Sequence, residues 1–459
     1  MTRPSNRIAV LDIVGLSRGV LSRMPRLTQW SASRRISSFI PTCPAVTCTA
    51  QSTFLTGLTP EKHGIAGNGW YNRSLNEVQF WKQSEALIHG SLLWETLQQQ
   101  FGKDFTCAKL FWWYNMYSTA NWTITPRPSY PADGRKVFDI YTHPMGMKDE
   151  LKADLGAFPF PYFWGPMAGL PSSQWIAQSA RWIEEKYSPT LSLVYLPHLD
   201  YDLQRYGTND QRAFPAIQQI DDLVCDLIDF YEKRAVEIII LSEYGISPVT
   251  HSISINRIFR QRGWISIKPE LGTETLDCGD SDAFAIADHQ VAQIYINNPE
   301  LIEQVRACLI STPGIAEVRT IERESTSPPL QERMPDLVAI AQDDAWFDYY
   351  FWTDDAVAPD YARCVDIHRK PGYDPAELFI DPNIHFPLVK TAGFLLKKKL
   401  GFRALLKLIP LDGDMIRGSH GRDIVSEKDR PIFISSPKLP PVQHATDVYP
   451  ALLGAFRNE

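Results

Sequence analysis

The feature that most constrains the fold is an alternation of short apolar runs with helical patterns. Ile8 to Leu11, Leu191 to Leu196 and Val236 to Leu241 are mainly apolar runs of the kind that forms buried parallel strands. Helical patterns at Ser173 to Tyr187 and at about Ala213 to Glu232 lie between them. Strand, helix and strand in this order predict an α/β protein with a mainly parallel central sheet.

An acidic residue follows each of these three strands. Asp12 ends the first run, Asp200 comes shortly after the second, and Glu243 follows the third. Ligands of open α/β sheets bind beyond the carboxyl ends of the strands. A single acidic residue there often caps the next helix, but three together favour a binding site.

A hydroxyl residue, Thr47, lies between a predicted strand at Ile36 to Ile40 and a predicted helix that stops at Gly57. The free N–H groups and the dipole of a helix N-terminus favour anions. Thr47 is therefore placed to act as a nucleophile or a metal ligand. The alternative is that it is an ordinary N-cap.

Composition excludes several classes of protein. The chain has 459 residues, 44% of them apolar and 22% charged, which predicts a soluble globular protein with a large core. The net charge of −7 argues against a general nucleic-acid binder. No apolar run is long enough to span a membrane. Seven scattered cysteines without a CxxC pair, and no visible secretory signal, predict reduced thiols and a cytoplasmic location.

Changes of pattern along the chain predict three parts. Residues 1–263 form the core, residues 264–410 an inserted cap domain, and residues 411–459 a return to the core. Within the core, residues 102–171 are rich in aromatic side chains and proline. We interpret them as a long insertion that shapes a pocket wall, with simple filling of the core as the alternative.

The last part of the predicted cap is basic and amphipathic. Residues 382–411 contain six Lys and Arg and no acidic residue. Peripheral contact of residues 390–409 with an anionic membrane surface is one interpretation. A surface helix of the cap is the favoured one.

One constellation unites residues from five separate places. An α/β sheet would bring to one edge Asp12, Thr47, Asp200, Glu243 and the glycine-flanked His420. Carboxylates, an imidazole and a threonine oxygen suit divalent metal ions, most simply a pair of them.

The segments around these residues resemble the alkaline phosphatase superfamily, specifically its nucleotide pyrophosphatase/phosphodiesterase branch. The matching pieces stand in the family's order: Val10-Leu11-Asp12, Thr47 with Pro60-Glu61-Lys62-His63-Gly64-Ile65 after it, Asp200, Ser242-Glu243-Tyr244-Gly245, and Gly418-Ser419-His420-Gly421. The resemblance covers about residues 7–75, 189–260 and 415–456. It implies an alkaline-phosphatase-like core with its sheet sandwiched by helices, two divalent metal ions (Zn, Mn or Mg), and Thr47 as the nucleophile.

The chain departs from the family's pattern at three positions. Gln204 and Tyr244 stand where the family has metal-binding histidines, and Ala50, with Gln51 adjacent, stands where the family is expected to have an asparagine for a phosphoryl oxygen. Oxygen ligands favour Mg or Mn over zinc. Other candidate ligands, each with a structural role as its alternative, are His198, Asp202, His289 and His368.

The resemblance thus implies a metal-dependent phosphodiesterase or nucleotide pyrophosphatase that acts on a small-molecule phosphate ester, with a nucleotide among the candidates. Two alternatives stay open. One is a phosphonate or phosphomonoester hydrolase. The other is a non-catalytic ligand-binding protein with a degenerate metal site. The oligomeric state is left open as well.

Overall fold

An eight-stranded sheet forms the centre of the structure, a computed structural model that describes residues 6–133, 135–323 and 326–456. The strands are β1 (Arg7–Ile13), β2 (Arg35–Ser38), β3 (Gly69–Asn72), β4 (Glu77–Phe80), β5 (Cys107–Leu110), β6 (Trp122–Pro126), β7 (Ile140–His143), β8 (Leu191–Leu196), β9 (Val236–Leu241), β10 (Ser247–Pro248), β11 (His251–Ile253), β12 (Ser266–Glu270), β13 (Thr273–Asp277), β14 (Ala283–Asp288), β15 (Val291–Ile296), β16 (Ile315–Thr320), β17 (Leu337–Ala341), β18 (Ala345–Phe347), β19 (Gly418–Ser419) and β20 (Ile432–Ser435).

Helices connect and cover these strands. They are α1 (Arg18–Leu21), α2 (Pro25–Ser31), α3 (Thr47–Thr56), α4 (Pro60–His63), α5 (Leu93–Phe101), α6 (Met147–Leu155), α7 (Leu170–Tyr187), α8 (His198–Tyr206), α9 (Phe214–Glu232), α10 (Ile255–Gln261), α11 (Ile302–Ile310), α12 (Pro328–Gln331), α13 (Pro387–Lys399) and α14 (Val448–Gly454). Of the helices in the described ranges, none combines the length and apolarity that crossing a membrane requires.

The central sheet has the strand order β2-β20-β9-β1-β8-β5-β6-β7. Strands β9, β1, β8, β5 and β6 run parallel to one another, whereas β20 and β2 at one edge and β7 at the other are antiparallel to their neighbours. Helices α7 and α9 pack against β8 and β9 and against each other. The predicted α/β fold with a mainly parallel sheet is therefore confirmed.

Residues 102–171 are more closely joined to this sheet than the sequence pattern indicated. Strands β5, β6 and β7 all come from this segment and form one side of the sheet. Its aromatic side chains also pack together, since the rings of Phe111 and Phe158 lie 4.9 Å apart and both are buried. Filling of the core is thus one role of these aromatic residues.

A second sheet, with the order β14-β15-β17-β16, lies within the predicted cap, and all its neighbours are antiparallel. Its apolar cluster also takes in Tyr71 and Phe80 from the β3–β4 hairpin and Phe259 from α10. The predicted boundary at residue 264 therefore crosses a continuous cluster, and the division into core and cap stays a prediction.

Candidate active site

Three acidic side chains lie where neighbouring parallel strands end. Asp12 is the sixth residue of β1 and pairs in register with Tyr195 of β8 and Leu241 of β9. Glu243 follows β9 by two residues, and Asp200 lies in the first turn of α8, directly after β8. The order β9-β1-β8 puts all three at one edge of the sheet because their strands point the same way.

Thr47 is the first residue of α3 and faces this edge. Its Oγ1 donates a hydrogen bond of 2.8 Å to Glu243 Oε2. The Tyr244 hydroxyl lies 3.4 Å from Thr47 Oγ1. The N-cap of α3 is Val46, which makes no side-chain capping bond. The alternative role of Thr47 as an ordinary N-cap is therefore wrong, since its hydroxyl donates its hydrogen bond to the Glu243 carboxylate.

A glutamine amide lies between two of the carboxylates. Gln51 Nε2 donates to Glu243 Oε1 at 2.6 Å and lies 3.4 Å from Asp12 Oδ2. Its Oε1 accepts the backbone N–H of Trp113 at 2.7 Å. That contact fixes the orientation of the amide, so the NH₂ group and not the oxygen faces the carboxylates.

A second glutamine repeats this arrangement at the third carboxylate. Gln204 Nε2 donates to Asp200 Oδ2 at 2.6 Å, and its Oε1 accepts the hydroxyl of Tyr373 at 3.1 Å. Both glutamines therefore act as neutral hydrogen-bond donors to acidic groups.

His420 reaches the site because its strand passes very close to α8. A Cβ on Gly418 would lie 2.1 Å from the Leu203 carbonyl oxygen, so only glycine permits this approach. His420 Nδ1 donates to the Ala45 carbonyl at 2.7 Å. The other ring nitrogen, Nε2, keeps its lone pair and is buried without a hydrogen-bond partner.

Four rings form a continuous stack over the site. The centroids of Tyr244 and His420 are 3.4 Å apart, those of His420 and His289 are 3.6 Å apart, and those of His289 and Tyr373 are 3.8 Å apart. His289 lies in the β14–β15 turn with φ of 64°, and the N–H of Gln290 beside it donates to the His420 carbonyl at 2.7 Å. The second sheet thus contributes a ring to this cluster, and the role of His289 as a ligand stays a prediction.

Other candidate ligands lie apart from this cluster. His368 is exposed, and no contact within the described residues joins its side chain to the stack. Asp202 pairs with Arg205 at 2.7 Å. His198 is buried, but its ring nitrogens have no hydrogen-bond partner among the described residues. A role of His368 or Asp202 as a ligand stays a prediction that no contact among the described residues supports.

Sequence reasoning missed three residues of the site. Tyr373 belongs to the same Pro-Gly turn as the candidate His368, and its ring contacts His289 and its hydroxyl contacts Gln204. Asn68 accepts the N–H of Cys48 at 3.0 Å and donates to Asp288 at 3.1 Å, which supports the first turn of α3. Trp113 acts through its backbone N–H, which no sequence pattern reveals.

Burial dominates the electrostatics of the site. It raises the pKa of Glu243 to about 7 and that of Asp200 to about 8, and it raises the pKa of Asp12 with help from the charge of Glu243. It lowers the pKa of His420 to about 3 and that of His289 in the same direction. Both imidazoles are therefore neutral at pH 7 and available as lone-pair donors.

The donor set was tested against the pair of divalent ions that the resemblance implies. Asp12 Oδ1, Asp200 Oδ1 and His420 Nε2 are buried acceptors without a hydrogen-bond partner, and such atoms suit a cation. Yet the described residues contain no group of three or more His, Cys, Asp or Glu arranged to hold a metal. The hydroxyls of Thr47 and Tyr244 would have to complete a coordination shell, because the amide oxygens of Gln51 and Gln204 are turned away from the carboxylates. The residues thus fit a hard ion with neutral oxygen ligands better than a zinc pair held by histidines.

The site is closed to solvent. Thr47 is 4% exposed and Asp200 is 5% exposed, and the stacked rings are buried as well. The β14–β15 turn and the turn that carries Tyr373 contribute two of these buried rings, His289 and Tyr373.

A mainly parallel sheet with this ligand set beyond its strands defines an α/β protein of the alkaline-phosphatase-like class. The family model described as type I phosphodiesterase / nucleotide pyrophosphatase matches residues 8–374. The chain belongs to this family.

Individual relatives agree with this assignment. An uncharacterized pyrophosphatase/phosphodiesterase of Schizosaccharomyces pombe is 24% identical over 223 residues, which are 46% of this chain but only 38% of that protein. Murine ectonucleotide pyrophosphatase/phosphodiesterase 5, in an inactive form in complex with AMP, superposes with a TM-score of 0.57 at 14% identity, covering 98% of this chain and 95% of the other. Phosphonoacetate hydrolase from Sinorhizobium meliloti 1021, in complex with phosphonoacetate, superposes with a TM-score of 0.60 at 13% identity, covering 99% of this chain and 96% of the other. These structures confirm the fold.

Proposed function

We propose that this chain hydrolyses small-molecule phosphate esters, with Thr47 as the nucleophile and Glu243 as the acceptor of its proton. The observation that carries the proposal is the 2.8 Å hydrogen bond from Thr47 Oγ1 to Glu243 Oε2. A hydroxyl nucleophile within hydrogen-bond reach of a base is the arrangement that covalent catalysis needs. The start of α3 adds a helix dipole that favours a phosphate beside Thr47.

The reaction consists of two displacements at phosphorus. Thr47 Oγ1 forms a bond to phosphorus while the bond to the leaving oxygen breaks, and the proton of Thr47 passes to Glu243. The leaving alkoxide takes a proton from water. A water molecule then attacks the phospho-threonine and gives a proton to the hydroxide left by the first step, the bond from phosphorus to Thr47 Oγ1 breaks, and Glu243 returns its proton to Thr47 Oγ1.

Divalent ions fit this site in the proposal, and two sets of residues would hold them. They are Asp12, Thr47 and Glu243 on one side, and Asp200 and His420 on the other, where Gln204 would become a ligand only after its amide turns over. When bound, such ions supply positive charge that stabilises the oxygens around phosphorus. The chain itself orients a ligand, because the Ala45 carbonyl accepts the Nδ1–H of His420 and so leaves the lone pair on Nε2.

The substrate class proposed first is a phosphodiester or a nucleotide pyrophosphate. It is supported by the family of the chain and by the AMP bound to the murine relative. A phosphonate is the second class, supported by the ligand of the Sinorhizobium hydrolase. A cytoplasmic place of action belongs to this proposal, and the seven unpaired cysteines support it.

The test compares Thr47→Ala with Thr49→Ala on aryl phosphodiesters, phosphomonoesters and phosphonates, each with Mg, Mn or Zn. Thr49 lies in the same turn of α3 and is equally buried, but its hydroxyl contacts only the Ile65 carbonyl at 3.4 Å. Thr47→Ala should lose turnover entirely while Thr49→Ala keeps it. Equal activity of the two variants would show that Thr47 is not the nucleophile.

A second candidate is a protein that binds a phosphate ester without hydrolysing it. The observation that favours it is the hydrogen bonding of all three carboxylates by neutral donors of the chain, in a site with almost no exposure. Calorimetric titration with AMP distinguishes the two candidates. Binding without product formation under every metal tested supports this second function.

A further inference from the structure

One segment of the chain, residues 381–408, contains no buried side chain. The segment includes α13. Its two ends are held together, since Asp381 N–H donates to the Leu408 carbonyl at 2.8 Å and Leu408 N–H to the Arg363 carbonyl at 2.9 Å. The segment is thus an excursion that leaves the surface and returns at one place. We call it the basic excursion.

The basic excursion carries a large share of the exposed apolar surface. Eight of the 21 exposed large apolar side chains of the described residues fall within twenty positions. They are Phe386, Leu388, Val389, Leu395, Leu396, Leu400, Phe402 and Leu405, each 48–84% exposed. Single exposed apolar residues are ordinary, but a contiguous set marks an interaction surface.

These apolar residues form a stripe along α13. At 100° per residue, Leu388, Val389, Ala392, Leu395 and Leu396 lie within an arc of about 120°. A stripe of this width is typical of a helix whose one face is covered. Nothing within the described chain covers it, because all five side chains are exposed.

Charge indicates what the covering partner is. The basic excursion contains Lys390, Lys397, Lys398, Lys399, Arg403 and Lys407 and, after its first residue Asp381, no acidic residue, in a chain whose net charge is −7. On the helix wheel Lys390 and Lys397 lie opposite the apolar stripe. Long lysine side chains can extend to phosphate groups while the apolar face enters the acyl region.

We propose that the basic excursion docks this protein on an anionic membrane surface, with the apolar stripe of α13 inserted at the level of the headgroups. A second protein would need an acidic apolar groove, whereas a bilayer supplies apolar depth and negative charge together. Helix α13 has 13 residues, so it lies along the interface and does not cross it. The proposal does not rest on the hydrolytic activity.

The test measures sedimentation of the full chain with lipid vesicles. Wild type should bind vesicles of phosphatidylcholine mixed with phosphatidylserine, and salt should weaken this binding. The change Lys397→Glu/Lys398→Glu/Lys399→Glu should reduce the affinity on the order of 100-fold, since each lysine near an anionic surface contributes about fivefold. Equal binding of wild type to phosphatidylcholine alone, or no binding to either vesicle, overturns the proposal.

Control variants separate the segment from general charge effects. Lys103→Glu/Lys233→Glu/Lys438→Glu changes the net charge equally at exposed positions elsewhere, and it should leave most of the affinity intact. If it weakens binding as much as the excursion variant, the segment is not the docking site.

The apolar stripe has its own variant. Leu395→Ser/Leu396→Ser should weaken vesicle binding at both low and high salt, whereas Leu271→Ser at an exposed hairpin tip should have no effect. Gel filtration without vesicles checks the alternative occupant. A dimer of the wild type that the Leu395→Ser/Leu396→Ser variant dissociates would show that a second copy covers the stripe, and would overturn the proposal.

Discussion

A buried lysine holds the turn that carries Tyr373 into the site. Lys370 Nζ lies 2.7 Å from Asp374 Oδ2 and 2.6 Å from Glu377 Oε1. The three side chains are 1%, 2% and 0% exposed, respectively. Glu377 also accepts the indole N–H of Trp164 at 2.6 Å. The network ties both sides of the turn to one cation.

The change Lys370→Met keeps most of the side-chain volume but removes that cation. Two carboxylates would then share a buried site without a positive charge. Removing one partner of a buried ion pair typically costs about 3–5 kcal/mol, because the remaining charge stays desolvated. We expect a loss of unfolding free energy of this size, and a weaker contact between Tyr373 and Gln204.

The assay is urea unfolding followed by circular dichroism. Lys148→Met is the matched control, because Lys148 pairs with Asp139 at 3.0 Å but is 35% exposed. An exposed pair contributes only about 0–1 kcal/mol. Adding Asp374→Asn and Glu377→Gln to Lys370→Met should recover part of the loss, since amides carry no charge. A Lys370→Met midpoint no lower than that of Lys148→Met would refute the reasoning.

Three further predictions concern the site and its surroundings. Activity should be higher with Mn or Mg than with Zn, and the double variant Gln204→His/Tyr244→His should shift this metal preference towards Zn. Activity assays and the metal content after dialysis measure the preference. An unchanged metal preference of the variant would contradict the assigned ligand positions. Gln51→Glu places a third carboxylate beside Asp12 and Glu243. The midpoint of urea unfolding of this variant should therefore fall when a chelator is present and rise again when Mn is added. A midpoint that does not change with Mn would argue against a cation at this place. Burial lowers the pKa of His63 to about 3 from an ordinary 6.5, so the unfolded state binds an extra proton between these pH values. The free energy of unfolding should therefore fall as the pH falls from 6.5 to 3, by at most about 1.4 kcal/mol per pH unit. His63→Gln should reduce this pH dependence, and an identical pH profile of the variant would exclude His63 as its source.

The sequence predicted the fold because its signals were local and consistent. Runs such as Leu191 to Leu196 and Val236 to Leu241 became β8 and β9 with the predicted bounds. The helix of Thr47 stops at Gly57, whose φ of 71° is the left-handed conformation expected of a C-terminal glycine. Acidic residues after parallel strands meet at one edge for geometric reasons alone, and the structure brings Asp12, Asp200 and Glu243 together there.

The remaining parts of the site depend on contacts between distant segments. Tyr373 is buried and His368 is exposed, although both belong to one turn. The buried ion pairs of Lys370 hold the part of the turn that contains Tyr373 against the protein. The orientation of Gln51 depends on the backbone N–H of Trp113, 62 residues away. The sequence pattern does not reveal strands β5, β6 and β7 because proline and aromatic residues in residues 102–171 obscure the period of two.

The most direct test of the account is to trap the covalent intermediate. The protein is mixed with an aryl phosphodiester, quenched in acid within one turnover, and digested for mass spectrometry. The proposed mechanism predicts a phosphoryl ester on the peptide that contains Thr47, and its absence from Thr47→Ala. Steady product release by the wild type with no modified Thr47 at any quench time would contradict the central claim.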